Sequence, residues 1–122
     1  MNGSEKIYFR AEFIISKGKL EEYKKLIQEL CKVVEDNEPH TLEYQFYFND
    51  DETKCTVHET YTNSDAALVH SDGIASRTII PRILNISQIN RFEVYGNPNE
   101  KLQKVLSSFN AQNFSAFTGF SR

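Results

Sequence analysis

A histidine, a strand carboxylate and two phenols stand close together in this sequence, and they are the parts from which proton chemistry is made: His70, Glu59, Tyr44 and Tyr61. An imidazole whose unperturbed pKa is about 6.5 can take or relay a proton at neutral pH. A carboxylate beside it can orient it or act as the base itself, and the phenols can hydrogen-bond a polar substrate. His70 and Glu59 are therefore the candidate catalytic pair, with Tyr44, Tyr61 and Phe13 as candidate lining of a cavity.

Each assignment has a plainer counterpart. His70 comes just before Ser71-Asp72-Gly73, where an imidazole also serves as the cation that a helix C-terminus favours. Glu59 shares a strand face with Val57 and Tyr61, so it is expected to be buried, and a buried carboxylate must find a partner or take up a proton. It is then either a general base or half of an ion pair with Arg10 or Arg91, and Arg91 joins the candidate substrate contacts. Tyr44 and Tyr61 would equally suit strand packing with a wetted hydroxyl. His58 should face the opposite side of its strand from Glu59, and His40, after Pro39, should lie in an exposed loop. Asp50-Asp51-Glu52 lacks the spacing of a calcium loop and reads as a solvated turn, so no metal site is expected.

These residues need elements to hold them. Leu42, Tyr44, Phe46 and Phe48 recur every second position, as do Cys55, Val57, Glu59 and Tyr61, and the polar turn Asn49–Thr53 between them makes a hairpin. Asn63-Ser64-Asp65-Ala66-Ala67 then starts a helix that carries His70 back over that hairpin. Upstream, Ile7, Phe9, Ala11, Phe13 and Ile15 alternate in a first strand with a mixed second face. After Ser16-Lys17-Gly18, the stripe Leu20, Tyr23, Leu26, Ile27, Leu30, Val33 and Val34 has helical spacing and ends before Pro39. Downstream, Ile79, Ile80, Ile83 and Leu84 surround Pro81, which predicts a kink or a fresh helix. A fourth strand spans Gln88 to Tyr95. Asn97-Pro98-Asn99-Glu100 reads as a helix start with Asn97 as cap and Pro98 at the first helical position, before Leu102, Val105, Leu106 and Phe109.

The chain has 122 residues, enough for one domain with a core that needs neither disulfides nor a structural metal. The core of that domain is expected over about 7–96, followed by a C-terminal helix and Phe-rich tail over 97–122. A formal charge of -3, without a cluster of Lys and Arg among aromatics, argues against nucleic acid as a partner. Apolar runs are too short for a membrane span and no signal-peptide core is present, so a cytoplasmic protein with no membrane partner is expected. Cys31 and Cys55 stand alone and read as reduced, partly buried small hydrophobes. Phe114, Phe117 and Phe120 would each gain about 2 kcal/mol from burial, which predicts that the tail docks on this subunit or on a partner.

The order strand, helix, strand, strand, helix, strand is a split βαβ, ferredoxin-like α+β pattern. It predicts a four-stranded antiparallel sheet with helices on one face. An aromatic sheet face left open would be closed by a two-fold homodimer, forming a dimeric α/β barrel.

With this pattern the chain resembles the antibiotic biosynthesis monooxygenase family. The resemblance is carried by Ser16-Lys17-Gly18-Lys19-Leu20-Glu21-Glu22-Tyr23, by Glu38-Pro39 with Leu42 and Tyr44, and by Glu59-Thr60-Tyr61 followed by Asn63-Ser64-Asp65-Ala66-Ala67 and His70. It spans roughly residues 7 to 96. It implies a homodimer with a ligand cavity in each subunit and, in some members, oxidation of phenolic or hydroquinone-like substrates by dioxygen with no metal or flavin. Other members degrade haem, isomerise a small sugar-like signal, or have no established activity. The haem-degrading branch uses a strand asparagine, a tryptophan and an iron-ligating histidine. Here Ala11 stands near that asparagine's place, and there is no tryptophan. The expected function is thus a cofactor-independent monooxygenase acting on a small aromatic. The alternatives are a non-catalytic ligand-binding or interaction dimer, or a cofactor-free isomerase.

Overall fold

The computed structural model describes residues 5–122. Its elements run β1 (Ile7–Ile15), α1 (Leu20–Asn37), β2 (Thr41–Phe48), β3 (Lys54–Tyr61), α2 (Ser64–Ser71), α3 (Ile74–Thr78), α4 (Ile80–Leu84), β4 (Ser87–Tyr95), α5 (Glu100–Ser107) and β5 (Gln112–Phe114). The strands form one sheet in the order β2-β3-β1-β4-β5. β1 pairs antiparallel with β3 and β4, and β2 pairs antiparallel with β3. This is the α+β, ferredoxin-like arrangement expected from the element order.

One expectation needs correction: the sheet has five strands rather than four, and the fifth runs parallel to β4. β5 is three residues long and exposed throughout, so it shows no alternation. It is placed by the crossover through α5, since a parallel neighbour needs such a connection.

The helical face of the sheet holds the core. α1 lays Tyr23, Leu26, Ile27, Leu30 and Val34 against Phe13, Cys55 and Val57. At the other end Ile7, Phe9, Tyr61 and Val94 pack under Ala66 and Ala67 of α2 and Leu102 and Leu106 of α5. The alanines let α2 approach the sheet closely, which is what brings its last turn to the strand carboxylate.

Two local features place α2 and α5. The Asn63 side chain accepts from the Ala66 amide at 2.9 Å, capping α2 as expected. α5 is capped by Asn99, not Asn97: its side chain accepts from the Leu102 amide at 2.9 Å, and Pro98 lies before the helix. Two asparagines flank that proline, and the tertiary contact selects the second, whose own amide donates to Ser64 Oγ at 2.9 Å. Pro81 lies in the first turn of a fresh helix, α4. Among the described residues no helix is long and apolar enough to cross a membrane.

Candidate functional site

α2 begins at its Asn63 cap and ends at Ser71, so His70 falls in the last turn, above β3. Ser76 Oγ donates to the His70 carbonyl at 2.6 Å and ties the start of α3 to that turn. The ring stands between two carboxyls. His70 Nδ1 is 2.8 Å from Glu38 Oε1, and His70 Nε2 is 3.7 Å from Glu59 Oε1. All three side chains are buried, with residue exposures of 5% for Glu38, 7% for Glu59 and 6% for His70. The Tyr61 hydroxyl donates to Glu59 Oε1 in a short hydrogen bond. Thr41 Oγ1 donates to the same Glu38 Oε1 at 2.9 Å and helps to fix that carboxyl. Gly73 leaves room for it: a Cβ there would lie 3.1 Å from Glu38 Oε2.

Burial alone would lower the His70 pKa, but the Glu38 hydrogen bond and the charges of Glu59 and Glu38 outweigh it, and the imidazole sits above its usual value of 6.5. Glu59 is pushed above the ordinary 4.5 chiefly by burial, with Glu38 adding to the rise and His70, Tyr61 and Arg10 opposing it. Tyr44 and Tyr61 are both raised well above 10, first by burial and then by the Glu59 charge. The arrangement is a buried acid–imidazole–acid relay. It is hydrogen-bonded at Glu38 and in ion-pair range at Glu59, and it can hold a proton at the imidazole or at Glu59.

The relay opens on a cavity of about 400 Å³, within the range of small-molecule sites. The sheet contributes Phe9, Ala11, Phe13, Ile89 and Phe92 as its floor. α4 and α5 contribute Ile80, Leu84, Val105 and Leu106, and Phe109 follows α5. Glu59, His70 and Tyr44 form its polar end. Tyr44 lies edge-on to the imidazole, with ring centroids 5.3 Å apart.

Of the residues expected at a site, His70, Glu59, Tyr44 and Phe13 meet at this cavity. Tyr61 does not line it; it is fully buried behind Glu59. Arg91 is on the opposite face of the sheet, where it lies 3.4 Å from Glu93 Oε1 and beside Tyr8, Arg10 and His58. A β-bulge shifts the register between β1 and β4, putting Ile89 and Phe92 on the cavity side and Arg91 on the other. Neither arginine pairs with the Glu59 carboxyl: the Arg10 guanidinium reaches the Glu59 carbonyl at 3.4 Å instead. The carboxyl is matched by His70 and Tyr61.

Glu38 is the member that sequence reasoning missed. An acid closing a helix before a proline ordinarily faces water, and only the return of α2 over the hairpin buries it. The α5 side of the cavity was missed for the same reason. Among the described residues, no group of three or more His, Cys, Asp or Glu side chains is arranged to hold a metal ion.

The fold is shared with solved structures named, several of them provisionally, as antibiotic biosynthesis monooxygenases. A Caulobacter crescentus CB15 protein provisionally named as one matches at a TM-score of 0.67 and 22% identity, over 75% of this chain and 86% of its own. SnoaB, a cofactor-independent oxygenase from Streptomyces nogalater, matches at a TM-score of 0.67 and 10% identity, over 78% of this chain and 95% of its own. The chain is also similar to MupZ from Pseudomonas fluorescens, with a TM-score of 0.83 and 26% identity over 97% of this chain and 95% of that one. That coverage takes in most of α5 and the segment after it. No family profile matches the chain, and neither does any curated protein.

Proposed function

We infer that the cavity is the active site of a cofactor-independent oxygenase whose substrate is a small phenolic or hydroquinone-like aromatic. The observation that carries this reading is the buried relay of Glu38, His70 and Glu59 at the polar end of an otherwise apolar cavity. The fold shared with SnoaB, a cofactor-independent oxygenase, supports it. A phenol lying against Phe13 with its hydroxyl toward Glu59 and His70 loses its proton to the relay. The resulting electron-rich anion reacts with dioxygen. One oxygen atom enters the ring, and the other leaves as water with the phenolic and ring hydrogens, so that a phenol and dioxygen give a quinone and water. His70 takes or relays the proton, Glu59 orients it, and Glu38 holds the ring.

Oxygen uptake with a panel of hydroquinones and naphthols tests this. Wild type should consume oxygen above blank, and His70→Ala should lower turnover by roughly 10²–10⁴. No uptake by wild type with any substrate sinks the oxygenase reading. A second reading is acid–base isomerisation without oxygen, because a shared proton between an imidazole and a carboxyl requires no oxidant. Deuterium incorporation from solvent into a substrate, with no oxygen consumed, would favour it.

The same reading makes the protein a homodimer through the open face of the sheet. Tyr8, Arg10 and Arg91 lie there with Glu12, Glu43 and Glu93, a mixture of signs that a two-fold copy can satisfy.

A further inference from the structure

Resting on the reading of this cavity as a substrate site, we propose that it selects an uncharged, mostly apolar molecule with one oxygen-bearing end and rejects carboxylates and phosphates of the same shape. Among the described residues no lysine or arginine lines it. The arginines of the flooring strands, Arg10 and Arg91, both line a separate pocket on the other face of the sheet. The charged groups that do line the cavity are Glu59 and His70, and His70 is already engaged by Glu38 at 2.8 Å. An anion entering would lose its hydration and meet the Glu59 carboxyl beside an imidazole already committed to Glu38.

The hydroxyls in the wall do not change this balance. Ser71 donates to the Ala67 carbonyl at 3.0 Å, Ser76 to the His70 carbonyl at 2.6 Å and Ser108 to the Val105 carbonyl at 2.7 Å. A hydroxyl has one proton, so each of these can accept from a ligand but not donate to it. The donors left for a ligand are the imidazole edge and the Tyr44 hydroxyl, which makes no hydrogen bond among the described residues. A neutral hydroxyl or carbonyl oxygen fits that end: it can accept from Tyr44 and, where it carries a proton, donate to Glu59. A carboxylate or phosphate needs several donors and a compensating cation of its own, and meets only these two donors, with the imidazole's charge already matched by carboxyls.

Three probes with one ring system test the proposal: 2-naphthol, 2-naphthoate and 2-naphthyl phosphate, titrated anaerobically at neutral pH against the full chain by calorimetry. 2-Naphthol should bind, and the two anions should bind at least about tenfold more weakly. Leu84→Trp, at a partly exposed position on the cavity wall, should weaken 2-naphthol, and Glu59→Gln should narrow the gap to the anions. Anions that bind as well as 2-naphthol, no binding of 2-naphthol, or 2-naphthol binding untouched by Leu84→Trp each overturn the proposal. If Glu59→Gln does not fold, the wild-type series and Leu84→Trp still decide. Because these are binding measurements without oxygen, intact discrimination with no oxygen uptake sinks the oxygenase reading alone. Uptake retained with no discrimination sinks this proposal alone.

Discussion

His70 is held by a carboxyl on each side, and its elevated pKa has a consequence for stability. A histidine raised above 6.5 binds its proton more tightly in the folded chain, so its contribution is complete below 6.5 and is lost as pH rises through the folded value. Glu59, raised above 4.5, acts in the same direction over a window that begins lower. Stability should therefore fall as pH rises from about 4.5 through neutrality, read as the urea midpoint at a series of pH values. His70→Gln should flatten the upper part of that slope; an unchanged slope would show that the imidazole is not charged in the fold. Glu38→Gln keeps the hydrogen bond and removes the charge, so the His70 titration followed by NMR should move to lower pH. A titration that stays put would remove Glu38 from the relay.

At the scale of elements, the site depends on two short pieces: α2, which carries His70, and the β4–α5 connection, which completes the cavity. Asn63→Ala removes the α2 cap and should cost about 1 kcal/mol in chemical denaturation. Gly96 follows β4 with φ of 126°, and a Cβ there would come within 2.7 Å of the Lys6 carbonyl oxygen. Gly96→Ala should therefore cost roughly 1–3 kcal/mol, because both the backbone conformation and the space favour glycine. A cost near zero would mean that β1 and the β4–α5 connection can separate without penalty. The first helix, the hairpin and the α2 cap were legible because each rests on local periodicity or a local hydrogen bond. β5 and the choice of Asn99 over Asn97 were not, because each is set by a contact with a distant segment.

At the scale of the whole molecule, the C-terminal phenylalanines lie on the outer surface. Phe114 stacks on Tyr95 with ring centroids 5.0 Å apart, whereas Phe117 is 97% exposed and Phe120 81% exposed. The docking expected of the tail is thus met by one phenylalanine within this subunit. Since the last two bury almost nothing here, a chain ending at residue 115 should unfold within about 0.5 kcal/mol of the full chain under conditions where it is monomeric. Sedimentation equilibrium at micromolar concentration should show a dimer for the full chain, and Tyr8→Asp on the outer sheet face should dissociate it. A lone, folded wild-type protomer at that concentration would remove the dimer from the reading.

The order of strands and helices up to β5, the burial of Glu59 and the position of His70 at a helix end were all determined by the sequence alone, because period-two and period-3.6 spacing and capping chemistry act over a few residues. Only the tertiary structure decided which carboxyl holds the imidazole, that Arg91 faces away from the cavity and that Tyr61 lies behind Glu59. Those facts depend on how α2 crosses the sheet and on a single bulge between β1 and β4. Both arise from contacts between segments 30 or more residues apart, such as Glu38 with His70, and no local pattern records them.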